Sequence, residues 1–254
     1  MILSGFRFTN KPCLFTILKN HEYFTTDNLN NIYLIKGEEI SKYNYAGKFL
    51  LNYSNKRFGK ITSTDATNAL KILLYYKDFQ QLVFLDNQLS QNGEPISLEN
   101  LGLEQAELAC TSFNNSFWIY NKQNNELVRF NENSQLIART GNLKQLLQSD
   151  LKPDFMLEHN GFLFLNCPNN GIYMFDMYGT FSKIISIKEL HDFQVSNNTL
   201  YYFNKNKFHS YDIKTLQENS ITIRDSLIQY MRIEKDRIYH SKGDTICAKQ
   251  NTIE

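Results

Sequence analysis

The sequence predicts an all-β fold, a six-bladed β-propeller of four-stranded antiparallel blades. Three observations predict it. A phrase recurs along the chain: a polar turn with Asn or Asp, a short apolar strand, a second turn, a strand closing on Tyr/Phe-Asp/Asn, then another strand. Copies span Asp27–Phe49, Thr67–Leu89, Phe113–Leu136, His159–Phe181, Ser196–Leu216 and Glu234–Ile253. The first apolar residues of their central strands, Ile32, Ile72, Phe117, Phe162, Leu200 and Ile238, lie 40, 45, 45, 38 and 38 residues apart, the length of a propeller blade. These windows are rich in Ile, Tyr, Phe, Val and Leu and lack a helical period, which argues for strands over helix pairs.

The clearest copy is Lys60–Leu89, KITSTDATNALKILLYYKDFQQLVFLDNQL. It reads as a polar first strand, a turn at Ala66-Thr67-Asn68-Ala69, a saturated apolar strand over Leu70–Tyr76, a Lys77-Asp78 turn, and a third strand ending at Leu85-Asp86. The six inner strands are predicted near His21–Asp27, Lys60–Asp65, Glu107–Phe113, Asp154–Glu158, Asp192–Ser196 and Gln229–Glu234. Thirty-one residues precede the first anchor and sixteen follow the last, together about one further period. The sixth copy thus lacks its outermost strand, and the apolar segment Leu14–Leu18 is suited to supply it. Such a strand would close the ring and remove an open sheet edge. Short helical insertions are predicted between blades two and three (Leu101–Leu108) and between blades three and four (Leu143–Leu147), which lengthens those two intervals. Residues 12–254 read as a single propeller domain and residues 1–11 as a flexible lead.

Composition narrows the function classes. Hydrophobic residues are 42% and aromatic residues 14% of the chain, ample for a core and against intrinsic disorder. The 27 basic and 26 acidic residues nearly cancel, so no broad field draws nucleic acid or anionic membrane. The thirty Asn residues cluster in pairs such as Asn114-Asn115 and Asn197-Asn198, which suits hairpin tips because Asn tolerates left-handed backbone. Cys13, Cys110, Cys167 and Cys247 form no CxxC pair. They read as free or buried structural thiols, with a single disulfide as the alternative. No apolar run is long enough for a transmembrane helix, and MILSGFRFTNKPC lacks the layout of a signal peptide.

No motif specifies a reaction. HExxH, GxSxG and Gly-rich phosphate loops are absent, as are the arginine cluster and aspartate box of a sialidase-like propeller. Inner-strand acids (Glu22, Asp27, Asp65, Glu107, Asp154, Glu158, Asp192, Glu234) could converge on a metal. The plainer reading is that they are solvated walls of a channel, and no metal or other cofactor is expected. The remaining option is a binding face made of loops on a rigid frame. Aromatic candidates are Tyr75, Tyr76, Phe79, Trp118, Tyr120 and Tyr178. Trp118 lies within a central strand and is expected to pack between blades.

The blades resemble single-chain six-bladed propellers of the NHL-repeat and YWTD kinds. The resemblance rests on Ile32-Tyr33 followed by Tyr43-Asn44-Tyr45-Ala46-Gly47, and on Ile172 through Gly179. The stretch ITSTDATNALKILLYYKDF resembles blades of a propeller group from Bacteroidota. True YWTD and WD signatures are absent. The resemblance implies the architecture and a place in the cell envelope, in the periplasm or at the outer membrane; without an export signal the chain would be cytoplasmic. The resulting expectation is a non-enzymatic scaffold that binds another protein. The alternatives are a lactonase-like hydrolase or small-ligand or metal binder using channel carboxylates, and a carbohydrate-binding propeller. The residues expected to form a binding site are Thr64, Asp65, Asn68, Tyr76 and Tyr178, and none is assigned a catalytic role.

Overall fold

The computed structural model describes residues 12–251. It contains six antiparallel sheets of four strands each, the blades of a six-bladed β-propeller. The described residues divide into two compact units, residues 54–192 and residues 12–53 with 193–251.

The 54–192 unit holds blades two to four. Blade two is built from Ser63–Asp65, Ile72–Tyr76, Gln81–Leu85 and Ile96–Ser97. Blade three comprises Ala106–Thr111, Phe117–Asn121, Glu126–Phe130 and Leu136–Arg139. Blade four comprises Phe155–His159, Phe162–Cys167, Gly171–Asp176 and Phe181–Ile185. The central strands Ile72–Tyr76 and Phe117–Asn121 are buried at every position, because each blade is covered on both faces. That is why their sequences are saturated rather than alternating.

Period-two geometry sorts their side chains. Phe117 and Ile119 pack toward blade two with Leu73, Tyr75, Leu82 and Phe84. Trp118 and Tyr120 face the other way, with Met156, Leu163, Leu165 and Phe175 of blade four. Each large side chain so buried contributes about 1.5–3 kcal/mol of transfer free energy. The outer strand of blade three, Leu136–Arg139, is largely exposed.

The other unit holds blades one, five and six. Blade one is Tyr23–Thr26, Ile32–Lys36, Glu39–Tyr43 and Phe49–Ser54, and blade five is Gln194–Ser196, Thr199–Asn204, Lys207–Asp212 and Glu218–Thr222. Blade six takes three strands from the C-terminal region, Tyr230–Glu234, Arg237–Lys242 and Thr245–Gln250. Its fourth is the N-terminal strand Phe15–Leu18, which pairs antiparallel with Thr245–Gln250 in the register Phe15↔Ala248 to Leu18↔Thr245. Ile17, Ile246, Ala248 and Tyr239 of this blade share a core with Ile32, Leu34 and Tyr43 of blade one. Phe15 also lies against Gly47, where an added Cβ would sit 2.3 Å from its ring, and Gly47 holds φ 75°. Only glycine meets both demands.

The recurring Tyr/Phe-Asp/Asn ending has a single local cause. In blades one to five the acid or amide that closes the third strand turns its Oδ1 back on the following turn. Asn44 accepts from the amides of Ala46 and Lys48. Asp86 accepts from Gln88 and Ser90, Asn131 from Asn133 and Gln135, and Asp176 from Tyr178 and Thr180. Asp212 accepts from Lys214 and Thr215. One short side-chain acceptor thus satisfies two turn amides at about the same place in each blade.

Two expectations need correction. The helix at Leu143–Leu147 forms, with Asn142 accepting from the Gln145 amide at its N-cap. The helical turn between blades two and three instead falls at Glu99–Leu101, as a three-residue 3-10 turn. The Leu101–Leu108 segment predicted as helical already enters the inner strand at Ala106, because Ala106 and Ala109 are needed in the core. The cysteines also differ from the reading as thiols throughout. Cys13 and Cys247 form a disulfide across 234 residues, while Cys110 and Cys167 are buried free thiols. Sequence spacing does not reveal this pair, because the N-terminal strand brings it together. The flexible lead expected over residues 1–11 lies outside the described residues.

The disulfide fixes Cys13, two residues before the strand Phe15–Leu18, to the strand Thr245–Gln250. Constraint of so long a loop is on the order of 5 kcal/mol in the chain-entropy model. Cys13→Ser is therefore expected to lower the midpoint of thermal unfolding by several degrees in scanning calorimetry; an unchanged midpoint would contradict this.

Burial drives the pKa of His240, on the Arg237–Lys242 strand, down from 6.5 to about 4; nearby Lys249 adds to the effect and Asp225 opposes it. The unfolded chain then takes up this proton first. The stability from keeping His240 neutral is complete above about pH 6.5 and is lost as the pH falls toward 4. Between those limits the wild type should lose up to about 3 kcal/mol more than His240→Gln in urea unfolding. Parallel pH profiles of the two proteins would refute the assignment.

Candidate functional site

The inner-strand acids do not stand as a set of open ligands. In the 54–192 unit, Asp65 ends the inner strand of blade two. Its Oδ1 accepts from the amide and hydroxyl of Thr67, and its Oδ2 accepts from the amide and hydroxyl of Thr111 in blade three at 2.8 and 2.7 Å. Glu158 of blade four reaches back to blade three. It accepts from the Phe113 amide at 2.9 Å, from Trp118 Nε1 at 2.7 Å and from the Ser112 hydroxyl. Toward the other end of the strands, Glu107 of blade three pairs with Lys77 of blade two and, at 3.1 Å, with Lys122. Burial tends to raise the Glu107 pKa, but the two lysines hold it below the ordinary value.

In the other unit Glu234 of blade six accepts from the Thr26 hydroxyl of blade one at 2.7 Å and from Gln194 of blade five at 2.9 Å. Burial pushes its pKa up. Asp27 accepts from the amides of Leu29 and Asn31 and from the hydroxyl of Tyr33. In the 54–192 unit, Asp154 accepts from Asn166 and pairs with His191. Hydrogen bonds to charged groups are the stronger kind, and those of Asp65 to Thr111, of Glu158 and of Glu234 join one blade to the next. Among the described residues, no three His, Cys, Asp or Glu side chains gather where they could hold one metal ion. The free thiols are poor nucleophiles, since burial raises the pKa of Cys110 and pushes that of Cys167 to about 12.

A second construction presents aromatic side chains. Arg129 is buried in blade three. Its Nε donates to the Ser112 hydroxyl at 2.7 Å, one Nη donates to the Phe113 carbonyl and the other to the Met177 carbonyl, both at 3.0 Å. Its guanidinium lies 5.9 Å from the Trp118 ring. The Ser112 hydroxyl, accepting from Arg129, donates in turn to Glu158. One guanidinium therefore fixes the turn that carries Phe113 and the turn that carries Tyr178. Those side chains are 60% and 70% exposed. The five donors of arginine suit this fork.

Between blades two and three opens a groove of about 830 Å³. Its lining includes Lys71, Asn115 and Glu132, with Asn68, Asn100 and Asn133.

The sequence-predicted residues divide among these features. Thr64 and Asp65 share the inner strand of blade two, where Thr64 is half-buried and Asp65 serves the contact with Thr111. Asn68 lines the groove and caps its own turn by accepting from the Leu70 amide. Tyr76 is fully buried, its ring centroid 5.6 Å from that of Phe58. Tyr178 is exposed on the blade-four turn. Trp118 is fully buried, as its place in a central strand implies. Arg129, Phe113, Lys71 and Glu132 escaped the sequence reading. Arg129 had a visible signal: a cation inside the buried strand ELVRF, which needs buried acceptors.

No protein-family model matches the sequence, and no curated protein matches it. Solved structures do. The chain is similar to a catalytically inactive virginiamycin B lyase from Staphylococcus aureus with quinupristin, at 12% identity and TM-score 0.60, over 89% of this chain and 78% of that one. It is similar to a streptogramin B lyase at 11% identity and TM-score 0.61, over 94% and 88%. It also matches the extracellular domain of BT4673, assigned to a hybrid two-component system of B. thetaiotaomicron, at 14% identity and TM-score 0.58, over 91% of this chain and 34% of that one. Likeness at such identity shows the propeller fold alone.

Arg129→Met removes three donors, taking the Arg129 bond from the Met177 carbonyl and leaving the Phe113 carbonyl to the Ser116 amide. Hydrogen exchange at the Tyr178 and Gly179 amides should speed by at least about tenfold, beyond any global loss of stability. Exchange matching wild type at these amides would show that Arg129 does not order the turn.

Proposed function

We propose that this chain is a non-enzymatic propeller scaffold of the bacterial cell envelope that binds another protein. The observation that carries the reading is the pair Phe113 and Tyr178, exposed on two turns that a single buried arginine holds in place. Aromatic residues supply much of the energy at protein interfaces. Anchors held in advance avoid part of the ordering cost of binding. Asp65, through Thr111 and the Phe113 segment that follows, and Thr64 beside it support this surface. Asn68 lines the neighbouring groove, and Tyr76, buried against Phe58, belongs to the frame of blade two.

The Cys13–Cys247 disulfide supports an oxidising compartment, periplasmic or extracellular. The likeness to the extracellular domain of a two-component system is consistent with that location. In this reading the strand Phe15–Leu18, locked by the disulfide, is the clasp that closes the ring of blades. The lactonase-like alternative would need carboxylates directed at an ion, whereas Asp65, Glu158 and Glu234 are engaged by donors of neighbouring blades.

The test compares the full chain with a Phe113→Ala/Tyr178→Ala double variant as bait in envelope extracts of the native source, followed by cross-linking mass spectrometry. The wild type should retain a partner cross-linked near Phe113 and Tyr178, and the double variant should lose it. Equal recovery by both baits, or turnover of a substrate by the chain alone, would sink the proposal.

A further inference from the structure

The groove between blades two and three has a chemistry of its own. Lys71 lines it, with Nζ 4.5 Å from the centroid of Phe84, and donates to the Asn115 carbonyl at 2.7 Å. Asn115 in turn donates through Nδ2 to Glu132 Oε2 at 3.2 Å. Burial lowers the Lys71 pKa, and Glu132 opposes that shift. An ammonium carries three donors and a carboxylate about four acceptor positions, and this chain of contacts engages one of each. Strong donors and strong acceptors thus alternate across a short span. Asn68, Asn100 and Asn133 add amides, each with a donor side and an acceptor side.

We infer that this groove binds a neutral oligosaccharide. Charge excludes anions as the preferred ligand: Lys71 is the lone basic residue of the lining, and Glu94 and Glu132 oppose it. Nucleobases need open aromatic faces for stacking. Here Phe84 is covered by Lys71, and Phe117 is 1% exposed. A purely apolar ligand would strand the amides without partners. A sugar hydroxyl donates and accepts at once, so neighbouring hydroxyls match a lining in which amide, ammonium and carboxylate alternate. The volume is that of a ligand-sized cleft with room for more than one sugar ring. A peptide main chain also donates and accepts, but extended peptides draw specificity from pockets for alternate side chains. The lining here mixes five Asn side chains with six apolar residues, Leu70, Phe84, Pro95, Ile96, Leu101 and Phe117, and hexa-alanine tests the peptide directly. Phe113 and Tyr178 do not line the groove, so its failure and that of the partner surface are distinguishable.

The test is a titration of the full ¹⁵N-labelled chain with maltohexaose, laminarihexaose, xylohexaose and mannohexaose, with hexa-alanine and inorganic phosphate as controls. At least one saccharide should shift the side-chain amides of Asn68, Asn115 and Asn133 saturably, with phosphate silent. Lys71→Met and Asn133→Ala should each weaken that binding about fivefold or more, the loss of one hydrogen bond. Phe113→Ala should leave it unchanged. If Lys71→Met fails to fold, Asn133→Ala alone decides. Silence of these amides toward every saccharide, a response only to hexa-alanine or phosphate, or undiminished binding by Asn133→Ala overturns the inference.

Discussion

Glu158 sits where two blades meet. It takes the indole N–H of Trp118, the hydroxyl of Ser112 and the amide of Phe113, all from the neighbouring blade. Apolar packing drives the blades together but is not directional. It leaves them able to slide along their faces. A carboxylate that accepts several donors from the next blade has one register in which it is satisfied, and a costly state in every other. Asp65 with Thr111 fixes blade two on blade three in the same way. Glu234 does so for its unit through Thr26 and Gln194. Asp65, Glu158 and Glu234 thus set the registration of neighbouring blades.

That registration is what makes the loops useful. Arg129 can hold the Phe113 carbonyl and the Met177 carbonyl together only if blades three and four are already aligned. Its charge is balanced through Ser112 by Glu158, so the fastener and the presentation of Phe113 and Tyr178 form one polar network. The groove at blades two and three depends on the other fastener. Asn68 and Lys71 come from blade two, Asn115 and Glu132 from blade three, and Asp65 lies between. On the proposed reading, both binding surfaces lie at boundaries between blades rather than within any single blade.

The sequence made the repeat legible because its causes are local. The Tyr/Phe-Asp/Asn ending marks an acceptor for turn amides within four residues, as at Asp176 with Tyr178 and Thr180. The saturated runs mark strands covered on both faces, as at Ile72–Tyr76. The helix at Leu143–Leu147 carries its own cap in Asn142. What could not be read is set by distance along the chain. Glu158 and Trp118 are 40 residues apart, and Cys13 and Cys247 are 234 apart. No local pattern distinguishes an acid that faces solvent from one that faces the next blade. The Leu101–Leu108 misreading has the same origin: its Leu and Ala spacing suits a helix, but Ala106 and Ala109 are taken by the core between blades. Tyr76 ends the apolar strand, and as a candidate for the binding face it is instead fully buried, with Phe58 against it.

The most direct test of the fastening role is a double-mutant cycle on Trp118→Phe and Glu158→Ala, read by urea unfolding. A charge-assisted bond at the boundary of blades three and four predicts a coupling energy of about 1.5–3 kcal/mol. A coupling within about 0.5 kcal/mol of zero, the level of independent sites, would show that packing alone sets the blades and would contradict the account.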